Sequence, residues 1–406
     1  MCPNLQVIYN CDAQDGGQLK KMQKEERKKK MSRKKNMTKR CLALGLSLFL
    51  AVGTLTGCGS GENSGNSGGQ SIESSSVSSE AQSETAPETT PEAAEQSVAV
   101  EREAVTIRVG SLKGPTSMGI LFLMDKTEKG ETTDSYEFQM ATGADELLPL
   151  MVKGDLDIAL VPANVAAVLY QKTNGGVAVV DINTLGVLYM VTGTAEVGSI
   201  ADLKGKTIYL TGKGTTPEAS LRYVLEANGL TEDDYTLEFK SEATEVAAVL
   251  AENPDAIGLL PQPFVTAALM QNDALKVVLD LNEEWMRVEN EQKDGISNGM
   301  VTGVTVVRKA FLEENPEAVE DFLKEHALSA DAINEDVETG AALAVEAGIV
   351  AKEPIAQKAI PECNITCVTG ESMKADLSAY LNVLAGFNAE LVGGQAPADD
   401  FYYLGH

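Results

Sequence analysis

The chain has 406 residues and carries 33 Lys/Arg against 60 Asp/Glu, a formal net charge of −27. Residues 1–57 hold 12 of the basic and 4 of the acidic residues, so the rest of the chain stands at about −35. A surface of that sign excludes nucleic acid and anionic head groups as partners of the bulk of the chain, and two histidines, His326 and His406, leave little for imidazole catalysis or metal ligation.

At the N-terminus, residues 1–36 contain a lysine-rich run (Lys28, Lys29, Lys30, Lys34, Lys35) that is long for a signal n-region. Met37 opens the more usual start "MTKRCLALG", with Met31 as the other option, and the segment before it is read as lying ahead of the true start. From Cys41 an apolar run ends at Gly57. It is shorter than the 20 or so apolar residues of a spanning helix, and it follows Lys34, Lys35, Lys39 and Arg40, the layout of an export signal. Its last residues, Leu55-Thr56-Gly57-Cys58, resemble the lipobox of bacterial lipoproteins. That resemblance implies a diacylglycerol on the Cys58 thiol, a mature N-terminus there, and a location at the extracytoplasmic face of the cell membrane. The competing reading is an uncleaved signal-anchor helix. Since one acyl chain anchors only marginally, two or three are expected. Residues 59 to about 100 are Ser, Glu, Gly, Gln and Pro with few large apolar side chains, a composition that builds no core; residues 58–103 are therefore expected to be a disordered tether, which the lipobox resemblance implies is lipidated at Cys58.

The globular part begins with the alternating strand "AVTIRVGSL", followed by an apolar helix "TSMGILFLMDK", a strand "YEFQMA", a helix "DELLPLMVKG" and a buried strand "LDIALVPA". A helix "NVAAVLYQKT" with Asn164 as N-cap and a strand "GVAVVDINTLG" complete this half. Strand–helix alternation at this spacing predicts a parallel sheet. A second set starts near Gly198: a strand over Thr207–Leu210, a helix with Thr216 as N-cap and Pro217 first, then "YTLEFK", "EVAAVLAE", "AIGLLP", "FVTAALMQ" and "LKVVLDL". After the polar loop "EQKDGISNG" comes a strand "MVTGVTVVRK", and helices dominate from there, the first capped by Asn315. The short apolar strands Val187–Gly193 and Met300–Val307 are placed as paired crossings between two lobes. The division is thus residues 104–194 and 299–406 for one lobe and 195–298 for the other, after a signal segment over 1–57.

In their order and spacing, "KGDLDIALVPANVA", "ADLKGKTIYLTGKGTTPE" and "LLPQPFVTAAL" resemble segments of the extracytoplasmic solute-binding proteins of ABC importers, over roughly residues 104–390. The similarity is closest to the nitrate/sulfonate/taurine group, which also includes pyrimidine-precursor binders. The resemblance implies a type II periplasmic-binding-protein fold, two α/β lobes that close on a small molecule. It also implies a permease and its ATPase as partners, with the chain acting as a monomer.

The residues themselves offer no catalytic constellation, so neither an enzyme nor a cofactor is expected. His326 shares a helical stripe with Val319, Phe322, Leu323 and Ala330 and reads as core. "KGKT" lacks the earlier glycine of a phosphate loop, since position 200 is Ile200. Cys363 and Cys367 have no histidine near in sequence, which weighs against zinc; two free thiols and a local loop disulfide both remain open. Ligand-binding candidates are polar residues just past strand ends: Ser111, Lys113, Thr116, Ser117, Thr142 and Asn164 in one lobe, Thr215, Thr216 and Gln262 in the other. Hydroxyls, amides and backbone N–H groups at helix N-termini suit a small anionic or zwitterionic solute. None of the five arginines beyond Cys58 falls in these turns, so no guanidinium clamp is expected. A ligand-sensing lipoprotein and a small biosynthetic enzyme on the same fold are the alternative readings. Lipidation is directly testable: intact mass of membrane-extracted protein should show truncation to Cys58 with an acyl adduct, and Cys58→Ala should lose both.

Overall fold

The computed structural model describes residues 102–292 and 297–405. The signal segment, Cys58 and nearly all of the Ser/Gly-rich tether lie outside the described residues. In chain order the first strands are β1 (Thr106–Leu112), β2 (Ser135–Ala141), β3 (Ile158–Pro162) and β4 (Val177–Thr184). They are followed by β5 (Leu188–Thr192), β6 (Thr207–Leu210), β7 (Thr236–Phe239), β8 (Ile257–Pro261) and β9 (Lys276–Asp280), and then by β10 (Gly303–Arg308) and β11 (Ile365–Val368). Two sheets result, ordered β11-β4-β10-β3-β1-β2 and β7-β6-β8-β5-β9.

Each sheet has a parallel part, β1 with β2 and β3, and β6 with β7 and β8. Each also has one antiparallel insertion: β10 between β3 and β4, and β5 between β8 and β9. These two are the strands that arrive from the other lobe. They enter at the cleft, where the parallel strands end, and so must run the opposite way. The register records this, pairing Gly303 with Pro162 and Leu188 with Pro261, so the carboxyl ends of β3 and β8 abut the crossings.

Several sequence expectations are corrected here. Val187–Gly193 and Met300–Val307 do not pair with each other. Their strands lie in separate sheets, and the crossings are the irregular stretches 185–187 and 299–302. The second sheet therefore takes in residues 188–192. The apolar helix after β1 is two pieces, Pro115–Met118 and Leu121–Lys129. At the break, a Cβ on Gly119 would sit 3.1 Å from His326 Nε2, so the backbone is in close approach to the Pro316–Glu335 helix. Residues 282–290, unassigned from sequence, belong to the helix Leu281–Gln292, whose buried Leu281, Trp285 and Val288 follow helical spacing within a strongly polar stretch. Residues Ile365–Val368 form the edge strand β11.

Ion pairs tie strands together inside the first lobe. Asp157, at the start of β3, accepts from the Arg108 backbone N–H (3.0 Å) and Nε (2.8 Å) and from Arg308 (2.6 Å), joining β1, β3 and β10. Burial alone would raise the Asp157 carboxyl; the hydrogen bonds from Arg108 and Arg308 hold it below the usual range instead.

The two crossings are held by one side chain. Asn282, buried at the start of the Leu281–Gln292 helix, accepts with Oδ1 from the backbone N–H of Gly186 (3.2 Å) and of Met300 (2.8 Å). Glycine is required on both flanks: a Cβ on Gly186 or on Gly299 would come within 2.6 Å or 2.2 Å of that oxygen. Asn364 adds a second tie, accepting from Leu185 N–H through its backbone and donating to the Gly186 carbonyl through Nδ2 (2.6 Å). Asn282→Ala leaves two buried donors without a partner, each worth about 1–3 kcal/mol. Urea unfolding is expected to show a loss of about 2–4 kcal/mol, and Asn282→Asp, which keeps the acceptor, should recover part of it.

Candidate functional site

Where the crossings meet the ends of β3 and β8, a cavity of about 210 Å³ lies between the lobes. The first lobe contributes Pro162, Ala163 and Asn164, and the second Thr216, Pro217, Ser220 and Pro261. The crossings contribute Val187, Met300, Val301 and Thr302, joined by Leu188 of β5 and by Tyr380 from the C-terminal helix Gly370–Phe387. Ala163 N–H donates to the Thr302 carbonyl at 3.0 Å, which fixes the first turn of the Ala163–Lys172 helix against the second crossing. Across the cavity the Ser220 and Tyr380 hydroxyls lie 3.3 Å apart, joining the second lobe to the C-terminal helix. Burial pushes the Tyr380 hydroxyl up to about 12, moderated by Ser220, so it remains a donor at neutral pH. Trp285 stacks edge-on to Tyr380 at 5.4 Å and against Tyr223 at 4.5 Å, a rigid aromatic wall behind it.

Of the nine residues singled out from sequence, Asn164 and Thr216 come together in this cavity. Neither the Asn164 amide nor the Thr216 hydroxyl has a hydrogen-bond partner among the described residues. Both are displaced by a position or two from their expected capping roles. The first helix starts at Ala163 after Pro162, which puts Asn164 inside its first turn, and the second has Thr215 as N-cap and Thr216 as first residue. The other hydroxyls are committed elsewhere. Thr116 and Ser117 donate to the Leu112 carbonyl at the end of β1, Thr142 donates to Glu146 (2.9 Å), and Thr215 donates to the Gly212 carbonyl (2.6 Å). Ser111 is buried in β1, and exposed Lys113 reaches toward Gly348 of its own lobe. Gln262 accepts through Oε1 from the Thr266 hydroxyl (2.9 Å) and lines a separate cavity of about 460 Å³ with Tyr189, Lys358 and Glu362.

The glycine-rich turn before Thr216 is also spoken for. Gly212 and Gly214 adopt φ of 78° and 72°, the left-handed region that favours glycine. The Gly214 N–H donates to Glu218 Oε2 at 2.7 Å, and Glu218, buried in the first turn, is paired with Arg222 (2.7 Å). A carboxylate of the chain itself therefore occupies this helix N-terminus.

Sequence reasoning missed Ser220, Thr302 and Tyr380. Ser220 was within reach, being four residues beyond Thr216 on the same helical face. Tyr380 arrives from about 160 residues away by a packing of helices that no local pattern announces. A larger groove of about 770 Å³, lined by Arg222, Glu226, Glu232 and Phe387 among others, lies on the adjacent face of the Thr216–Ala227 helix. It lies away from the ends of β3 and β8, so the smaller cavity is the better candidate.

His326 is buried, as expected for a core position, but its surroundings correct the expectation that no histidine stands near the cysteines. His326 Nδ1 lies 3.1 Å from Asp181 Oδ2, and His326, Asp181 and Cys367 bring one potential ligand atom each within 4.8 Å of one another. Asp181 Oδ1 also accepts from Thr305 (2.9 Å), and burial pushes the Cys367 thiol well up. Asp181 thus joins His326 and Thr305 in a buried hydrogen-bonded network under the first sheet, with Cys367 beside it. Both thiols, Cys363 and Cys367, are free.

Two lobes, two crossings and a cavity at the strand ends define an α/β protein of the periplasmic-binding-protein fold. Residues 171–338 match the family model described as NMT1/THI5 like. No curated protein sequence matches the chain. Among solved structures, an ABC transporter protein from Parabacteroides distasonis is similar at 24% identity and a TM-score of 0.61, over 73% of this chain and 98% of that one. The periplasmic aliphatic sulphonate binding protein SsuA of Escherichia coli is similar at 15% identity and TM-score 0.59, over 74% and 92%. A sulfonate-binding protein of Methylobacillus flagellatus follows at 17% and 0.53, over 73% and 89%. Among the described residues no helix is long and apolar enough to cross a membrane.

The hydrogen bonding separates cavity residues from scaffold residues in a way stability measurements can read. Asn164→Ala and Thr216→Ala are expected to leave urea stability within about 0.5 kcal/mol. Gln262→Ala, which strands the Thr266 hydroxyl, should cost about 1–3 kcal/mol.

Proposed function

We propose that the protein is the solute-binding component of an ABC importer, anchored through a lipid on Cys58, that closes its two lobes on a small polar solute and presents it to a permease. The observation that carries this reading is the cavity itself. It takes polar groups from both lobes and from the C-terminal helix, and two of them, on Asn164 and Thr216, have no partner among the described residues. A solute that bridges such groups stabilises the closed arrangement because it contacts both lobes, and only a differential contact of that kind can shift an open–closed equilibrium. The fold shared with the sulphonate binding proteins, and the lipobox-like segment ahead of the tether, support the same reading. The protein holds its solute without altering it, since the cavity walls present an amide, hydroxyls and apolar side chains and no acid–base pair.

A thermal-shift screen over sulfonates, nitrate, carboxylates, amino acids and pyrimidines is the direct test. A ligand at a hundred times its Kd adds about 2.7 kcal/mol to stability, a clear rise in Tm. The hit should be recovered chemically unchanged, should stimulate the ATPase of the cognate permease in proteoliposomes, and should lose about tenfold or more in affinity in Asn164→Ala and Thr216→Ala. A ligand indifferent to both substitutions, or returned as a product, would overturn the proposal.

A further inference from the structure

The charge of the solute is written in what surrounds the cavity; this step rests on the cleft reading above. Among the described residues lining the cavity, none is charged: its polar side chains are the Asn164 amide and the hydroxyls of Thr216, Thr302, Ser220 and Tyr380. Buried carboxylates sit on the helices around that wall, each with a partner. Glu218 lies two residues past Thr216 and is matched by Arg222. Asp376, one turn before Tyr380, is buried and accepts from the backbone N–H of Asn298 (3.2 Å) and from its side-chain amide (2.5 Å). Glu289 is buried and accepts from the Tyr223 hydroxyl (2.5 Å), beside the Trp285 wall.

Each of the described arginines is engaged elsewhere. Arg102 pairs with Asp134 and Asp321, Arg108 and Arg308 with Asp157, Arg222 with Glu218 and Glu232, and Arg287 with Glu284 and Glu291. An anion in the cavity would give up its water with no charged side chain of opposite sign among the lining residues, an arrangement in which burial of charge is unfavourable. An amide and hydroxyls each donate and accept, so they are fully used only by a solute that does both. At roughly 30 Å³ per water, a cavity of about 210 Å³ has the room of about seven waters.

We infer that the cavity selects a small solute of zero net charge that presents both hydrogen-bond donors and acceptors, and that it discriminates against anions of the same size. The Ser220–Tyr380 hydroxyl pair and the Asn164 amide read its polar groups, while Pro162, Pro217, Pro261 and Leu188 shape an apolar slot around the rest.

The test equilibrates the full chain with an equimolar mixture of metabolite-sized solutes balanced among anions, cations and net-neutral compounds. After rapid desalting, retained solutes are released by denaturation and identified by mass spectrometry in both polarities. Net-neutral solutes should be enriched about a hundredfold over anions of equal size. Thr302→Lys, which places an ammonium at the wall, should turn retention toward anions. A retained anion or cation whose retention is lost in Asn164→Ala overturns the inference about charge and leaves the cleft standing as the site. Retention unchanged in both Asn164→Ala and Thr216→Ala overturns the cleft reading itself.

Discussion

The architecture turns on a single side-chain carbonyl. Asn282 Oδ1 accepts from Gly186 on the outward crossing and from Met300 on the return, so both connections between the lobes are pinned to the start of one helix. Glycines on either side let the backbone come that close, and the Leu281–Gln292 helix fixes Asn282 by burying Trp285 against Tyr223 and Tyr380. The same tie sets where the cavity lies. Because the crossings are held at the ends of β3 and β8, the first turns of the helices that follow β3 and β6 face each other across them, bringing Asn164 and Thr216 together. Hinge geometry and site geometry thus have one cause.

The C-terminal helix gives the two lobes a third connection. Gly370–Phe387 joins the second lobe through Tyr380 and Ser220, and the residue just before the second crossing through Asp376 and Asn298. One element therefore touches the cavity, the hinge and the aromatic wall. Opening of the lobes would have to break the Ser220–Tyr380 contact or carry the helix along, so a solute that engages those hydroxyls acts on the same contact that holds the lobes together.

Charge is distributed with a similar economy. The chain is strongly acidic, and each of its described arginines is matched to carboxylates, which stabilises the scaffold and leaves the cavity to uncharged donors and acceptors. Glu218 is the clearest instance. At a helix N-terminus that would otherwise attract an anion, the chain supplies its own carboxylate and takes up the Gly214 N–H.

Much of the fold was legible before any coordinates, because strands and helices announce themselves by local periodicity and punctuation. The helix Phe264–Gln271, bounded by prolines and a polar turn, matches its expected limits, as does the Asn315 cap followed by Pro316. Helix 281–292 escaped because its buried residues are few among acids and amides, so its apolar stripe shows only against the partners that bury it. Sequence also narrowed the site to polar residues beyond strand ends, and two of the nine, Asn164 and Thr216, meet in the cavity. Which two was beyond it. A hydroxyl near a strand end can cap a carbonyl, as Ser117 does at Leu112, bond a nearby acid, as Thr142 does at Glu146, or face a cavity, as Thr216 does, and residue type is the same in all three. Sequence determined most of the elements and their order, which are properties of neighbouring residues. Tertiary structure alone decided the crossings, the Asn282 tie, the reach of Tyr380 into the cleft and the meeting of His326 with Cys367, because each joins residues whose separation along the chain carries no local signature.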